Sequence, residues 1–97
     1  MAFGFGFQVE YDPQKAAANL KKHGVSFEEA ITVFSDPLAS TLPDDQHSQD
    51  EPRFITVGES SVGRVLFVVY TERGSRIRLI GARLATARER REYEEVS

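Results

Sequence analysis

Ninety-seven residues, 40% of them apolar and 28% charged, suffice for one globular domain with a core but not for two. The absence of cysteine excludes disulfides and thiolate metal sites, and His23 and His47 stand too far apart for a zinc-type spacing. The net charge of -3 is unevenly spread: residues 1–52 hold three Lys against nine Asp or Glu, and residues 53–97 hold nine Arg against six Glu.

The chain starts MAFGFGFQVE, with no positive region or cleavage site for secretion, and no apolar run approaches the roughly 18 residues of a membrane span. The cytoplasm is the expected compartment. Phe3, Phe5, Phe7 and Val9 alternate with small or polar residues and predict a half-buried strand, its phenylalanines in the core or self-associating at an edge. Asp12-Pro13 predicts a helix start, with the helix running to about Lys22 and stopping at Gly24. Ser26-Phe27-Glu28-Glu29 is a capping box for a second helix with the apolar stripe Phe27, Ala30, Ile31 and Phe34, ended by Asp36-Pro37.

Leu38–Leu42 is a short strand candidate, and residues 43–52 read as an exposed loop in which His47 is solvated. Three further strands are predicted at Arg53–Gly58, Arg64–Thr71 and Arg76–Ala82, joined by short Gly- and Ser-bearing turns that suit hairpins. Thr86-Ala87-Arg88-Glu89 is a second capping box, opening a last helix to about Glu95. The expected fold is a single α+β domain over residues 1–97. It has an antiparallel β-sheet, two N-terminal helices and one C-terminal helix, in the order β-α-α-β-β-β-β-α.

Seven arginines fall between Arg73 and Arg91 against one acid, Glu89. Guanidiniums are planar, permanently charged and able to grip a phosphate through two oxygens. A solvated terminal helix accounts for Arg88, Arg90 and Arg91. Alternation along RIRLIGAR instead puts Arg76 and Arg78 on a strand and Arg83 at its exit, where a basic face would meet nucleic acid or an acidic protein.

Two blocks of this chain, in this order, resemble the BrnT family of toxins. The first is Tyr11-Asp12-Pro13, Lys15, Asn19 and Lys22-His23-Gly24-Val25-Ser26-Phe27-Glu28-Glu29-Ala30. The second runs through Arg53, Gly58 and Tyr70-Thr71-Glu72-Arg73 to Arg78-Leu79-Ile80-Gly81-Ala82-Arg83-Leu84-Ala85, Glu89-Arg90 and Tyr93. The resemblance covers about residues 7 to 95. It implies a type II toxin: a ribonuclease of RelE-like fold, without cofactor, neutralised by a BrnA-like antitoxin through which alone it would meet operator DNA. Assembly as a homo-oligomer or with the antitoxin would follow. Gly81 stands where the family more often has serine, and Tyr11 where it often has tryptophan.

Cleaving RNA without a metal uses the 2′-hydroxyl as nucleophile and needs a base, cations on the phosphate and a proton for the leaving oxygen. His23 is a candidate base or acid, with a helix-end cap as its plain alternative. Arg78 and Arg83 are candidate phosphate holders, the competing role for Arg78 being an ion pair with Glu72 or Glu59. Arg53 opens its strand and joins the catalytic candidates, with Glu51 or Asp50 as its bland partners. Tyr93 is a candidate acid or stacking ring, or simply the packed residue of the last helix. Lys15, Lys22 and Arg76 complete the expected RNA-binding set. A non-catalytic module that binds RNA or an acidic partner through the same arginines is the alternative function.

Overall fold

Local capping chemistry places each helix. The Asp12 carboxylate accepts the N–H of Gln14 at 2.8 Å, so α1 (Pro13–His23) begins where Pro can sit without losing a hydrogen bond. Gly24 ends it at φ 68°, and its N–H closes the last turn on the Leu20 carbonyl at 2.9 Å. Ser26 Oγ accepts the Glu29 N–H at 3.0 Å to open α2 (Phe27–Thr32), which tightens into a 3-10 turn at Val33–Ser35. Thr86 and Glu89 cap reciprocally, each side chain accepting the other's N–H, at the start of α3 (Ala87–Val96).

This computed structural model describes residues 8–47 and 51–96, so the predicted strand residues Phe3, Phe5 and Phe7 lie outside the described residues. The strands are β1 (Gln8–Glu10), β2 (Ser40–Pro43), β3 (Arg53–Glu59), β4 (Val65–Arg73) and β5 (Arg76–Leu84). They form one sheet in the order β1-β5-β4-β3-β2. The exposed loop expected from residue 43 onward contains the end of β2 and a 3-10 turn at Asp45–His47.

The expected antiparallel sheet is instead mixed. β2 through β5 pair antiparallel, but β1 runs parallel to β5, with Gln8 opposite Arg76 and Glu10 opposite Arg78. A parallel neighbour needs a long crossover, which the intervening helices and hairpins supply. Alternation within β1 carries no information about that direction.

Cross-strand register sorts the sheet into two faces. Phe54, Thr56 and Gly58 of β3 share one with Leu66, Val68 and Tyr70 of β4 and with Ile77, Leu79 and Ala82 of β5. Val25, Phe27, Ala30 and Val33 join this face in the core, all of them fully buried. The valines and Phe27 each contribute about 1.5–3 kcal/mol relative to exposure, Ala30 less. Phe34 meets Tyr70 edge-on at 5.1 Å between ring centroids, and the Tyr70 hydroxyl continues through Thr56 to Thr41 in a chain of 2.9 Å hydrogen bonds.

Two features aim side chains from the second face. A bulge at Ile80 shifts the β4–β5 register, so that Tyr70 faces Leu79 while its neighbour Val69 faces Gly81. Beyond the three residues of β1, the β5 edge is met by α1: Asn19 accepts the Ala82 N–H and donates to the Ala82 carbonyl, at 3.1 and 2.8 Å. A side-chain amide thus replaces a strand partner. Lys15, one turn earlier, can then reach round toward Arg78 and Ile80.

Candidate active site

The second face carries a row of polar residues across three strands. Arg53 of β3 is opposite Thr71 of β4, which is opposite Arg78 of β5. Above this row lies an open cleft of about 430 Å³, lined by Lys15, Arg53, Thr71, Arg73, Arg78 and Ile80 together with Gln46, His47 and Glu51 of the β2–β3 connection. Four cationic side chains therefore converge, three of them on neighbouring strands. Thr71 is only 4% exposed, and its hydroxyl has no hydrogen-bond partner among the described residues. A buried hydroxyl left unpaired costs free energy unless something at the site supplies its bond.

Acids of the chain pair with Arg73 and Arg78 of the cleft and with Arg76 at its flank. Arg73 forms a two-pronged pair with Glu51 at 2.7 and 2.9 Å. That bond, with Arg78 and Arg53 nearby, keeps the Glu51 carboxyl below its usual value. Glu10 sits between Arg76 and Arg78, at 3.5 and 3.7 Å, and not the Glu72 or Glu59 expected from alternation. At these distances and exposures such pairs hold geometry more than they add stability.

The β2–β3 connection adds a pair that sequence spacing had read as solvated loop. Asp44 N–H donates to the Arg53 carbonyl at 2.7 Å, tying the turn to the start of β3. The Asp44 carboxylate, 14% exposed, receives His47 Nδ1 at 3.0 and 3.1 Å, and His47 lines the cleft with its side chain 61% exposed. The three-residue spacing Asp44-x-x-His47 was the available signal, and it becomes informative only once the 3-10 turn brings both side chains to one side.

The other expected residues stand elsewhere. His23 and Lys22 are exposed in the last turn of α1. Eight residues separate His23 from Lys15, roughly 12 Å along the helix axis. Arg83 lies over the Phe67 ring at 3.8 Å and grips Glu89 through both terminal nitrogens, at 2.8 and 3.0 Å. Its bond lowers the Glu89 carboxyl, against burial. Arg83 follows Arg78 by five strand residues, roughly 16 Å. Tyr93 is 8% exposed and donates its hydroxyl to Asp36. Burial first, then that hydrogen bond and the Asp36 charge, push the phenol up to about 12. The geometry thus gathers Lys15, Arg53 and Arg78, flanks them with Arg76, and sets His23, Lys22, Arg83 and Tyr93 apart.

The arrangement can hold a polyanion on the sheet face beside an imidazole oriented by a carboxylate. Comparison with known proteins agrees with a ribonuclease scaffold. The family model for the ribonuclease toxin BrnT of type II toxin-antitoxin systems matches residues 11–89. No curated protein sequence matches the chain. The 1.1 Å crystal structure of the Brucella abortus ribonuclease toxin BrnT superposes with a TM-score of 0.63 at 23% identity, covering 80% of this chain and 95% of that one. With the family match spanning most of its length, and the α+β fold shared with a solved member, this chain belongs to the BrnT family of ribonuclease toxins, whose type II systems pair each toxin with an antitoxin.

Proposed function

We propose that this protein is a metal-independent endoribonuclease of RelE-like fold that halts translation by cutting RNA in the cytoplasm, and that a BrnA-like antitoxin neutralises it. The observation that carries this reading is the cleft where Lys15, Arg53, Arg73 and Arg78 converge beside the Thr71 hydroxyl, which has no partner among the described residues. Transesterification by the 2′-hydroxyl builds up negative charge on the phosphate oxygens. Fixed cations at that place lower the barrier without a metal's Lewis acidity.

Lys15, Arg53 and Arg78 are the proposed phosphate holders, with Arg76 at their flank. Lys22 and His23, exposed at the far end of α1, extend a basic track for the strand leaving the cleft. Arg83 and Tyr93 serve through structure, as an anchor for α3 and as a buried phenol on Asp36. The experiment is incubation of the purified protein with RNA in excess chelator, beside a growth assay of cells expressing it alone and with the antitoxin. Cleavage under chelator and growth arrest relieved by the antitoxin are the expected results.

A second reading draws on the ion pairs themselves. Arg73, Arg76, Arg78 and Arg83 all engage acids of the same chain, as suits a face that binds RNA or an acidic protein without cutting. RNA binding with no cleavage and normal growth at high expression would select that module instead.

A further inference from the structure

We infer that His47 and Asp44 form the proton-transfer pair of the cleft, with His47 as the general base on the RNA 2′-hydroxyl and Asp44 as the residue that positions it. The inference rests on the ribonuclease reading and adds the group that reading lacks, since no other imidazole lines the cleft. Three observations converge on it. His47 stands among the same lining residues as Lys15, Arg53 and Arg78, so a phosphate held by those cations brings its ribose within the imidazole's neighbourhood. His47 Nδ1 is engaged by both Asp44 oxygens, at 3.0 and 3.1 Å. Asp44 is itself well shielded and anchored by its own N–H to the backbone of Arg53, a cation of the cleft.

A carboxylate acceptor selects the tautomer with the proton on Nδ1 and leaves the lone pair on Nε2. A nitrogen in that state can take a proton. In the proposed step, Nε2 removes the 2′-hydroxyl proton as the 2′-oxygen bonds to phosphorus. The bond from phosphorus to the 5′-oxygen breaks, leaving a 2′,3′-cyclic phosphate. Water protonates the departing oxygen, and the exposed imidazolium returns its proton to solvent, so atoms and charge balance. Asp44 never bonds the substrate. It fixes the ring and stabilises the transient imidazolium.

The test is single-turnover cleavage under excess chelator with wild type, His47→Ala, His47→Gln and Asp44→Asn, with RNA affinity and a thermal melt for each. His47→Ala is expected to cleave roughly 10²–10⁴-fold more slowly with RNA affinity unchanged, and added imidazole should restore part of the rate. His47→Gln keeps a hydrogen bond to Asp44 without a basic nitrogen, and decides the matter if the alanine variant melts early. Asp44→Asn should lower the single-turnover rate and leave RNA affinity in place, because an amide donor at Nδ1 reverses the tautomer. Wild-type rates in both His47 variants would overturn the inference while leaving the ribonuclease reading standing. A wild-type protein that binds RNA and never cuts it would overturn both.

Discussion

Arg78 shows how one side chain can serve both the fold and a ligand. Its side chain is one-third exposed, with the guanidinium 3.7 Å from Glu10, and it lines the cleft beside Thr71. A surface pair at that distance gives up its cation readily to a phosphate, because the carboxylate is rehydrated as the phosphate arrives. Arg78→Ala is therefore expected to weaken RNA binding and to flatten the dependence of log affinity on log salt by about one unit. Titration of fluorescent RNA across a salt series checks this; an unchanged slope would assign Arg78 to the fold alone. Tyr93 is the opposite case. It is buried, and its hydroxyl is spent on the Asp36 carboxylate, so Tyr93→Phe should cost about 1.5–3 kcal/mol of stability, the range for a hydrogen bond to a charged group, read by urea denaturation.

Among the elements, β3 packs tightly at Gly58, against the 3-10 turn and the residue that precedes β2. A Cβ at Gly58 would lie 2.8 Å from Ala39 Cβ and 2.9 Å from Val33 Cγ1, short side chains with little freedom to move aside. Gly58→Ala is expected to cost about 1–3 kcal/mol, the range for overpacking a filled core, and to lower the melting temperature. Gly81 differs: an added Cβ meets only Asn19 Oδ1, at 3.6 Å, an ordinary contact. Gly81→Ser should thus melt no lower than the parent; a fall in melting temperature would show that Asn19 tolerates nothing beside it. The box before α3 was legible in sequence because it satisfies both its bonds within four residues, whereas before α2 only Ser26 caps and the Glu29 carboxylate turns away to Arg64 and Ser60.

Across the whole molecule, depressed carboxylates tie stability to pH. The Arg64 hydrogen bond lowers Glu29 and the Arg83 bond lowers Glu89, while burial opposes both. Burial works to raise Asp36, but the Glu59 N–H, the Tyr93 hydroxyl and the Leu38 N–H together hold it below its ordinary value. For each group the folded state binds its proton less readily than the unfolded one. Their contribution is therefore fully present above the ordinary values of 3.8 for Asp and 4.5 for Glu, and is lost as pH falls through the lower folded values. Tyr93 acts in the opposite sense: its contribution is present below 10 and is lost as pH rises toward about 12. Melting temperature should fall below about pH 4 and again above about pH 10. A flat profile from pH 6 down to pH 3 would contradict the assigned carboxylate partners.

Sequence alone determined the helices, their caps, the three hairpin strands and the concentration of arginines, because those signals are local: a period, a cap, a turn residue. Alternation along β5 also put Arg78 on an outward face, whereas Lys15 and Arg53 entered the candidate set through the family resemblance and not through any period. Only the tertiary structure decided that β1 runs parallel to β5, because the direction of a crossover depends on how the helices pack. It alone showed that Arg83 is held by Glu89 and Phe67 rather than by the cleft, and that Tyr93 turns inward to Asp36. The pairing of Asp44 with His47, and the meeting of that pair with Arg53, Thr71 and Arg78, also arise there, where β2, β4 and β5 converge on the start of β3. Residues tens of positions apart have no shared period to betray them. They meet because strand register and one bulge put them on the same face.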